Sequence, residues 1–500
     1  MKGWIIALGF IVFVISWIPQ IQAQGKSLNP GDLYDAGIAL FYKGSYEEAL
    51  TTFTKVIQSF PTSNLVSYSF HMIGQCYLKM GKYEEAIAQF EFYQKIYPEG
   101  DRLKSSEQGI QFSREKLREK ARPSSPGEGV RKAKRRICAQ VFFFEGKNLD
   151  QVEKKMKSLK EAGVDTLILR VFQNKGDRMY KFVNPHREEG VYFKTGDAPV
   201  VDDILGKMAE MAHRNGLEIF AWMTTRYANF GVEGRPELRC KSYNFETKKL
   251  DVARGFNLFH PDVMKRLEGL FRDLGRYPID GILFQDDLIL KHNEDFSAEA
   301  NKAFFKEFGY SPHPDLFYID PYKSESGKYY VKAYSNQFWV WANWKNRQLL
   351  GVAERLMTAA RESNPRLKFG INLYYETVLN PSNAVAWFSQ TLQEALGKGF
   401  DYYAIMAYHR QTMNELNMDA KKAMDLMAEA AQKAVKAIGD PSRVMMKVQV
   451  LDWKSYQVIP TKEVETLLNG ILDQGEVSLA FVPYIDQFPL HQLKGKWASH

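Results

Sequence analysis

From Ile137 onward two hydrophobic periods alternate along the chain. Apolar runs of strand length occupy Ile137–Phe144, Thr166–Phe172, Glu218–Met223, Gly281–Asp287, Lys368–Tyr374, Tyr402–Tyr408, Val444–Leu451 and Val477–Tyr484. Runs with little polar interruption suit parallel strands buried on both faces. Between them, helical spacing predicts helices over Leu149–Ala162, Asp202–Asn215, Pro261–Leu274, Asn336–Ser363, Ala384–Leu396, Met413–Ala437 and Thr461–Gln474. Gly163, Gly216, Gly275 and Gly475 stand at the ends of four of these patterns, as helix-stopping glycines do. Eight such units predict a (β/α)8 barrel over residues 137–490, with a doubly wound open sheet as the alternative. The connection from Leu288 to about Lys332 is long, and long loops on the catalytic face are usually functional.

The N-terminal part repeats itself. Phe41-Tyr42-Lys43-Gly44-Ser45-Tyr46-Glu47-Glu48-Ala49 matches Leu78-Lys79-Met80-Gly81-Lys82-Tyr83-Glu84-Glu85-Ala86 at an offset of 37 residues. The same offset relates Phe53 to Phe90 and Phe60-Pro61 to Tyr97-Pro98. A helix–turn–helix unit with Gly and Tyr at the turn, then Ala, then Pro at the end, resembles tetratricopeptide repeats, whose usual period is about 34. Residues 30–121 are therefore expected to be an all-α module, capped by a helix over Arg102 to Ala121. Its role is either a groove for a protein partner or a spacer, and no catalysis is expected from it.

Ligands of parallel α/β folds collect at the carboxyl ends of the strands. There the fourth run, Ile279-Asp280-Gly281-Ile282-Leu283-Phe284-Gln285-Asp286-Asp287, stops in two adjacent carboxylates. One could merely cap the next helix; the sharper reading is a catalytic or sugar-binding acid pair, of which a regular strand admits only one member to the mouth. Asp280 opens the run, about 20 Å away at ~3.3 Å per residue, on the opposite, stabilising face. The other strand ends supply Arg170, then Trp222, Thr224 and Arg226, then Asn372, Tyr374 and Glu376, then Tyr408 and His409, then Asp452 and Trp453, then Tyr484 and Asp486. Acids, amides and rings recurring at one end suit a sugar, whose C–H faces meet rings and whose hydroxyls meet carboxylates. Glycoside hydrolysis needs a carboxyl of raised pKa. Either Asp286 or Asp287 is the candidate, and Glu294, Asp295, Glu376, Asp452 and Asp486 are all open as its companion. There is no Gly-rich phosphate loop and no Gly-x-Ser-x-Gly elbow, and His292 and His409 lack ligand spacing. No cofactor and no metal are expected.

Composition adds organisation. With 500 residues, 45% hydrophobic and 25% charged, the chain is globular and should form more than one domain. Its net charge of +8 owes much to the run Arg131-Lys132-Ala133-Lys134-Arg135-Arg136. This follows the Pro/Gly/Ser-rich stretch from Arg122 to Gly129, so residues 122–136 read as a solvated basic linker and no nucleic acid is expected as partner. Lys2, an apolar run from Trp4 to Pro19, and Ala23 form a secretory signal pattern over residues 1–24. An exported protein, periplasmic or extracellular, is expected, touching the membrane only through that segment. Cys76, Cys138 and Cys240 are scattered and give neither a disulfide framework nor a metal spacing.

The segment Asp280 to Asp287, followed by Glu294-Asp295-Phe296-Ser297, resembles the C-terminal hydrolase domain of the PgaB family, two-domain poly-β-1,6-N-acetylglucosamine deacetylases and hydrolases of biofilm export. Phe220-Ala221-Trp222-Met223, Val378-Leu379-Asn380-Pro381 with Ala386-Trp387-Phe388, Tyr403-Ala404-Ile405-Met406-Ala407 and Asp452-Trp453 follow in the family's order. The resemblance implies a (β/α)8 fold and endo-cleavage of a partly deacetylated β-1,6-linked glucosamine polymer. It carries the fourth-strand acids onto Asp286 and Asp287. Three features depart from it: Gln285 stands where the family has His, Val141-Phe142-Phe143-Phe144 where its first strand has acids, and repeats where its deacetylase domain lies. Deacetylation is not expected. A non-catalytic glycan-binding scaffold of an export system is the alternative.

Overall fold

The computed structural model describes residues 29–121 and 133–498, without residues 229, 232, 233, 326 and 328. The signal pattern and most of the linker lie outside the described residues. Five helices come first: α1 (Pro30–Lys43), α2 (Tyr46–Ser59), α3 (Leu65–Lys79), α4 (Tyr83–Ile96) and α5 (Leu103–Ala121). The 37-residue period has a packing cause. A Cβ on Gly37 would lie 2.7 Å from the Phe53 ring, and one on Gly74 would lie 2.6 Å from the Phe90 ring. Each repeat thus seats a buried phenylalanine against a bare stretch of the preceding helix. Gly44 and Gly81 make the turns in the left-handed region, with φ of 86° and 71°.

The strands β1 (Ile137–Val141), β2 (Thr166–Arg170), β3 (Glu218–Met223), β4 (Gly281–Phe284), β5 (Lys368–Tyr374), β6 (Tyr402–Ala407), β7 (Val444–Gln449) and β8 (Ser478–Val482) form one closed parallel barrel. Each pairs with the next, and β1 closes on β8 with Cys138 opposite Ala480. Alternation divides the strand residues. Cys138, Ile168, Phe220, Leu283, Tyr402, Ala404 and Met445 fill the lumen, and the intervening residues pack against the helices. Asp280 lies at the floor end as expected, where its Oδ2 accepts from the Ile219 amide at 2.8 Å and sits 2.9 Å from His213 Nε2.

The end of the basic run is not solvated, which corrects the linker boundary. Arg136 is 4% exposed and plugs the barrel floor. Its Nη1 donates to Thr166 Oγ1 at 2.8 Å, its guanidinium pairs with Glu218, and it stacks over the Phe220 and Tyr402 rings. Arg135 donates to the Val477 carbonyl. All three cysteines are buried and unpaired.

Two antiparallel hairpins were not anticipated: Arg239–Asn244 with Lys249–Phe256, and Tyr318–Lys323 with Tyr329–Tyr334. Lys249–Phe256 and Tyr318–Lys323 are mostly solvated, so burial imposes little apolar period on them. Two long helix patterns break. Ser389 and Asn417, both left-handed, end Pro381–Phe388 and His409–Leu416 before the chain resumes at Leu392–Leu396 and Ala420–Ile438. The repeats stay outside the barrel core but dock on the barrel domain. Asn343 donates to the Tyr42 carbonyl, Ser382 to that of Lys43, and Lys79 pairs with Glu394 at 2.6 Å. Ile38 and Tyr42 lean on an aromatic cluster built around Phe338, Trp341 and Trp344. Among the described residues no helix is long and apolar enough to cross a membrane.

Candidate active site

β4 stops at Phe284, and the two acids that follow separate completely. Asp287 is 1% exposed and turned into protein. Its Oδ2 accepts from Thr224 Oγ1 at 2.6 Å, the Arg226 amide at 2.7 Å and the Tyr227 amide at 2.8 Å; its Oδ1 accepts from Thr225 Oγ1 at 2.7 Å and the Thr225 amide at 3.0 Å. This carboxylate satisfies the backbone donors of the loop after β3, so it anchors that loop. Asp286 is half-buried and faces the barrel mouth, among Lys447, Tyr374 and Tyr408. Burial pushes its carboxyl above the usual range, against the pull of the Lys447 ammonium.

Lys447 projects from β7 into the lumen and is 1% exposed. Its Nζ donates to Asn372 Oδ1 at 2.8 Å and lies 5.7 Å from the centre of the Tyr408 ring. Asn372 in turn donates to the Phe284 carbonyl at 2.8 Å, so β5, itself tied to the end of β4, holds the ammonium that β7 sends across the lumen. Burial lowers its pKa to about 8, with Asp286 opposing. Glu376 opens the short helix Glu376–Leu379 just past β5. Its Oε2 is buried without a hydrogen-bond partner in the protein, and burial, with Glu415 adding, pushes the carboxyl up to about 7. Both Asp286 and Glu376 act electrostatically on Tyr374, whose ring lies flat on Phe388 at 3.8 Å. Trp222 stacks on Phe142 at 4.8 Å with its Nε1 buried and unpartnered. Trp453 meets the Tyr408 ring edge-on at 5.9 Å.

The other expected site residues go elsewhere. Arg226 was expected at the mouth, but its side chain is fully buried, bound to Glu294 at 3.0 Å, Cys240 and the Ile289 carbonyl. This occupies Glu294 as well. Arg170 is engaged by Asp177 and lies over Phe172. Asp452 caps its own loop through the Lys454 and Ser455 amides. Tyr484 donates to Asp486 at 2.6 Å, and Asp486 also holds Lys155. Asp295, raised by burial to about 6, accepts from the Lys241 and Ser297 amides away from the mouth. Of the possible companions, only Glu376 combines a raised pKa with an unpartnered buried oxygen and an electrostatic effect on Tyr374 that Asp286 shares. Sequence reading missed Lys447 and Gln140; a lysine inside Val444-Met445-Met446-Lys447-Val448, and a glutamine inside Cys138-Ala139-Gln140-Val141, were the signals available. Both polar side-chain atoms of Gln140 are buried without a protein partner. Among the described residues no three His, Cys, Asp or Glu side chains gather as a metal set.

Comparison with known proteins agrees with this architecture. Residues 32–99 match the tetratricopeptide repeat, and residues 145–482 match hypothetical glycosyl hydrolase family 13. The poly-beta-1,6-N-acetyl-D-glucosamine N-deacetylases of Escherichia coli K12 and O157:H7 are each 26% identical over 355 residues, which is 67% of this chain and 48% of theirs. The chain spans about half the length of these curated relatives. The glycoside hydrolase domain of PgaB (BpsB) from Bordetella bronchiseptica shares the fold, with a TM-score of 0.57 and 20% identity over 72% of this chain and 98% of that one. The barrel with its carboxyl-lined mouth and the match across more than half of the sequence agree: the chain belongs to hypothetical glycosyl hydrolase family 13.

Proposed function

We propose that this is an exported, endo-acting glycoside hydrolase for a partly deacetylated β-1,6-linked N-acetylglucosamine polymer, working in exopolysaccharide or biofilm-matrix processing. The observation that carries the reading is Asp286 facing a fixed Lys447, with a second carboxyl, Glu376, raised toward neutrality and sharing Tyr374 with it as an electrostatic neighbour. The substrate class is drawn from the named relatives. Two carboxyls in unlike environments divide the work. Glu376, with no cation beside it, holds a proton at neutral pH and donates it to the leaving oxygen. Asp286, faced by an ammonium, works ionised at the sugar. Tyr374, Tyr408, Trp222 and Trp453 face the sugar rings, and Asp287 keeps the loop after β3 in position.

One observation favours the scaffold reading: Phe142 lies flat on Trp222 where the PgaB family has acids. The test uses two substrates, the polymer and an aryl glycoside whose leaving group needs no proton. Glu376→Gln should lose about 10²–10⁴-fold on the polymer, the range of general acid catalysis, and recover on the aryl glycoside. Asp286→Asn should lose activity on both. Recovery of Asp286→Asn instead would exchange the two roles. Binding without cleavage of either substrate by the unaltered protein would establish the scaffold.

A further inference from the structure

The chain just past Asp286 and Asp287 belongs to no helix or strand, yet every backbone carbonyl from Leu288 to Glu294 has a donor. Gln390 Nε2 donates to the Leu288 carbonyl at 3.4 Å, Arg226 to that of Ile289, Ser389 Oγ to that of Leu290 at 2.8 Å and Tyr318 Oη to that of His292 at 2.9 Å. The Tyr243 amide donates to the Asn293 carbonyl at 2.8 Å. The Lys291 and Glu294 carbonyls both accept from Lys345 Nζ, the first at 2.7 Å, and the Glu294 amide closes the turn onto the Lys291 carbonyl at 3.0 Å. Lys345 reaches this turn from the long helix Asn336–Ser363 and is 0% exposed. Burial lowers its pKa to about 7, with Glu294 and Asp295 favouring the charge and Arg226 opposing it. A pKa lower in the folded chain than in the unfolded one means that this ammonium opposes folding at neutral pH. An apolar side chain of the same length would serve stability as well.

We propose that Lys345 is a positioning residue for hydrolysis: it locks the segment from Leu288 to Asp295 so that Asp286, just before it, keeps its place. The inference rests on the hydrolase reading above and adds how the acid is held from behind. Two routes connect the lysine to the acid. One is the chain itself, which runs from Asp286 into the locked carbonyls without a helix or strand to absorb movement. The other is Arg226. Its guanidinium donates to the Ile289 carbonyl and pairs with Glu294 at 3.0 Å, while its backbone amide donates to Asp287 Oδ2 at 2.7 Å. Lys345 grips both ends of the turn from Lys291 to Glu294, and so fixes the carboxylate that Arg226 needs. With the turn released, Glu294 shifts away from Arg226, and the bonds from Arg226 to Ile289 and Asp287 loosen on either side of the acid.

The test compares the full chain with Lys345→Met, which keeps the stem and drops the donors, and Lys345→Gln, which keeps N–H donors without the charge. Three quantities are measured: the urea midpoint, the rate of trypsin cutting after the exposed Lys291 in native buffer, and kcat and KM on partly deacetylated β-1,6-linked N-acetylglucosamine polymer. Lys345→Met should keep or raise the urea midpoint, yet be cut after Lys291 about tenfold faster. Its kcat should fall about tenfold or more through misplacement of Asp286, with KM changed less than about twofold. Lys345→Gln should lie between the two in both rates, and it carries the same comparison if Lys345→Met fails to fold. A lowered urea midpoint with kcat and KM worsening together makes Lys345 a core residue only and overturns the proposal. Unchanged cutting after Lys291, or full kcat in Lys345→Met beside an active unaltered protein, also overturns it and leaves the hydrolase reading intact. No cleavage by the unaltered protein defeats the hydrolase reading instead, and the trypsin rates then decide alone whether Lys345 locks the segment.

Discussion

Replacing Asp287 by Asn separates an anchor from a catalyst. The best placement of the amide puts its oxygen where Oδ2 was, keeping Thr224 Oγ1 and the Arg226 and Tyr227 amides as donors. The NH2 then takes the Oδ1 position, and the Thr225 hydroxyl must turn from donor to acceptor. Each kept bond loses its charge assistance, about 1 kcal/mol from the difference between ~1.5–3 for charged and ~0.5–1.5 for neutral bonds. Three such bonds give about 3 kcal/mol, reduced to about 2 because a buried charge no longer has to be desolvated. Asp287→Ala leaves the Thr225, Arg226 and Tyr227 amides without this acceptor and should cost about 4 kcal/mol or more. Urea unfolding followed by tryptophan fluorescence measures both, and limited proteolysis should show cutting near residues 224–228 rising in the same order. Hydrolysis should fall only as far as the displaced loop disturbs Trp222. If Asp287→Asn keeps its unfolding midpoint yet loses hydrolysis by about 10²–10⁴-fold, Asp287 acts on the substrate and the anchoring argument is wrong.

Lys447→Met removes the cation that opposes the upward shift of Asp286. The Asp286 carboxyl should then hold its proton to higher pH, and the acid-side rise of kcat/KM should move upward; an unmoved limb contradicts the pairing. Glu376 donates only while protonated, so kcat should fall as pH rises through about 7, and Glu376→Gln should lack that fall. Arg136→Met should lower stability by about 2 kcal/mol, below the ~3–5 of a fully buried pair because Glu218 is 30% exposed; unchanged urea unfolding would remove the floor-plug account. Deleting residues 30–120 should leave cleavage of soluble oligomers nearly intact while impairing association with a protein partner of the export machinery. It should also lower solubility, because the aromatic cluster on which Ile38 and Tyr42 lean loses that cover; loss of cleavage by a folded truncation contradicts this.

The barrel was legible because burial on both faces writes an uninterrupted apolar run. Lys368–Tyr374 and Glu218–Met223 have the bounds that their apolar residues suggest. The repeats were legible for a different reason, since the turn glycines Gly44 and Gly81 and the buried Phe53 and Phe90 recur at one spacing. The hairpins were not, because strands such as Lys249–Phe256 and Tyr318–Lys323 are mostly solvated and bury too few residues to impose a period. The split of Asp286 from Asp287 could not be read either. It depends on where β4 stops and on amides of another loop that turn toward Asp287, and neither leaves a mark near residue 287. Arg226 misled for the same reason: a cation at a strand end looks available until Glu294, far along the chain, is seen to hold it.

Asp286 and Glu376 are proposed to cleave a glycan in the barrel mouth. The most direct measurement is product analysis after incubating the full chain with partly deacetylated β-1,6-linked N-acetylglucosamine polymer, beside its Asp286→Asn and Glu376→Gln variants. Internal cleavage to shorter oligomers by the unaltered protein is expected, with polymer left essentially intact by both variants, each still folded and still binding. Equal cleavage by all three, or polymer bound but uncut by the unaltered protein from acid through neutral pH, would contradict it.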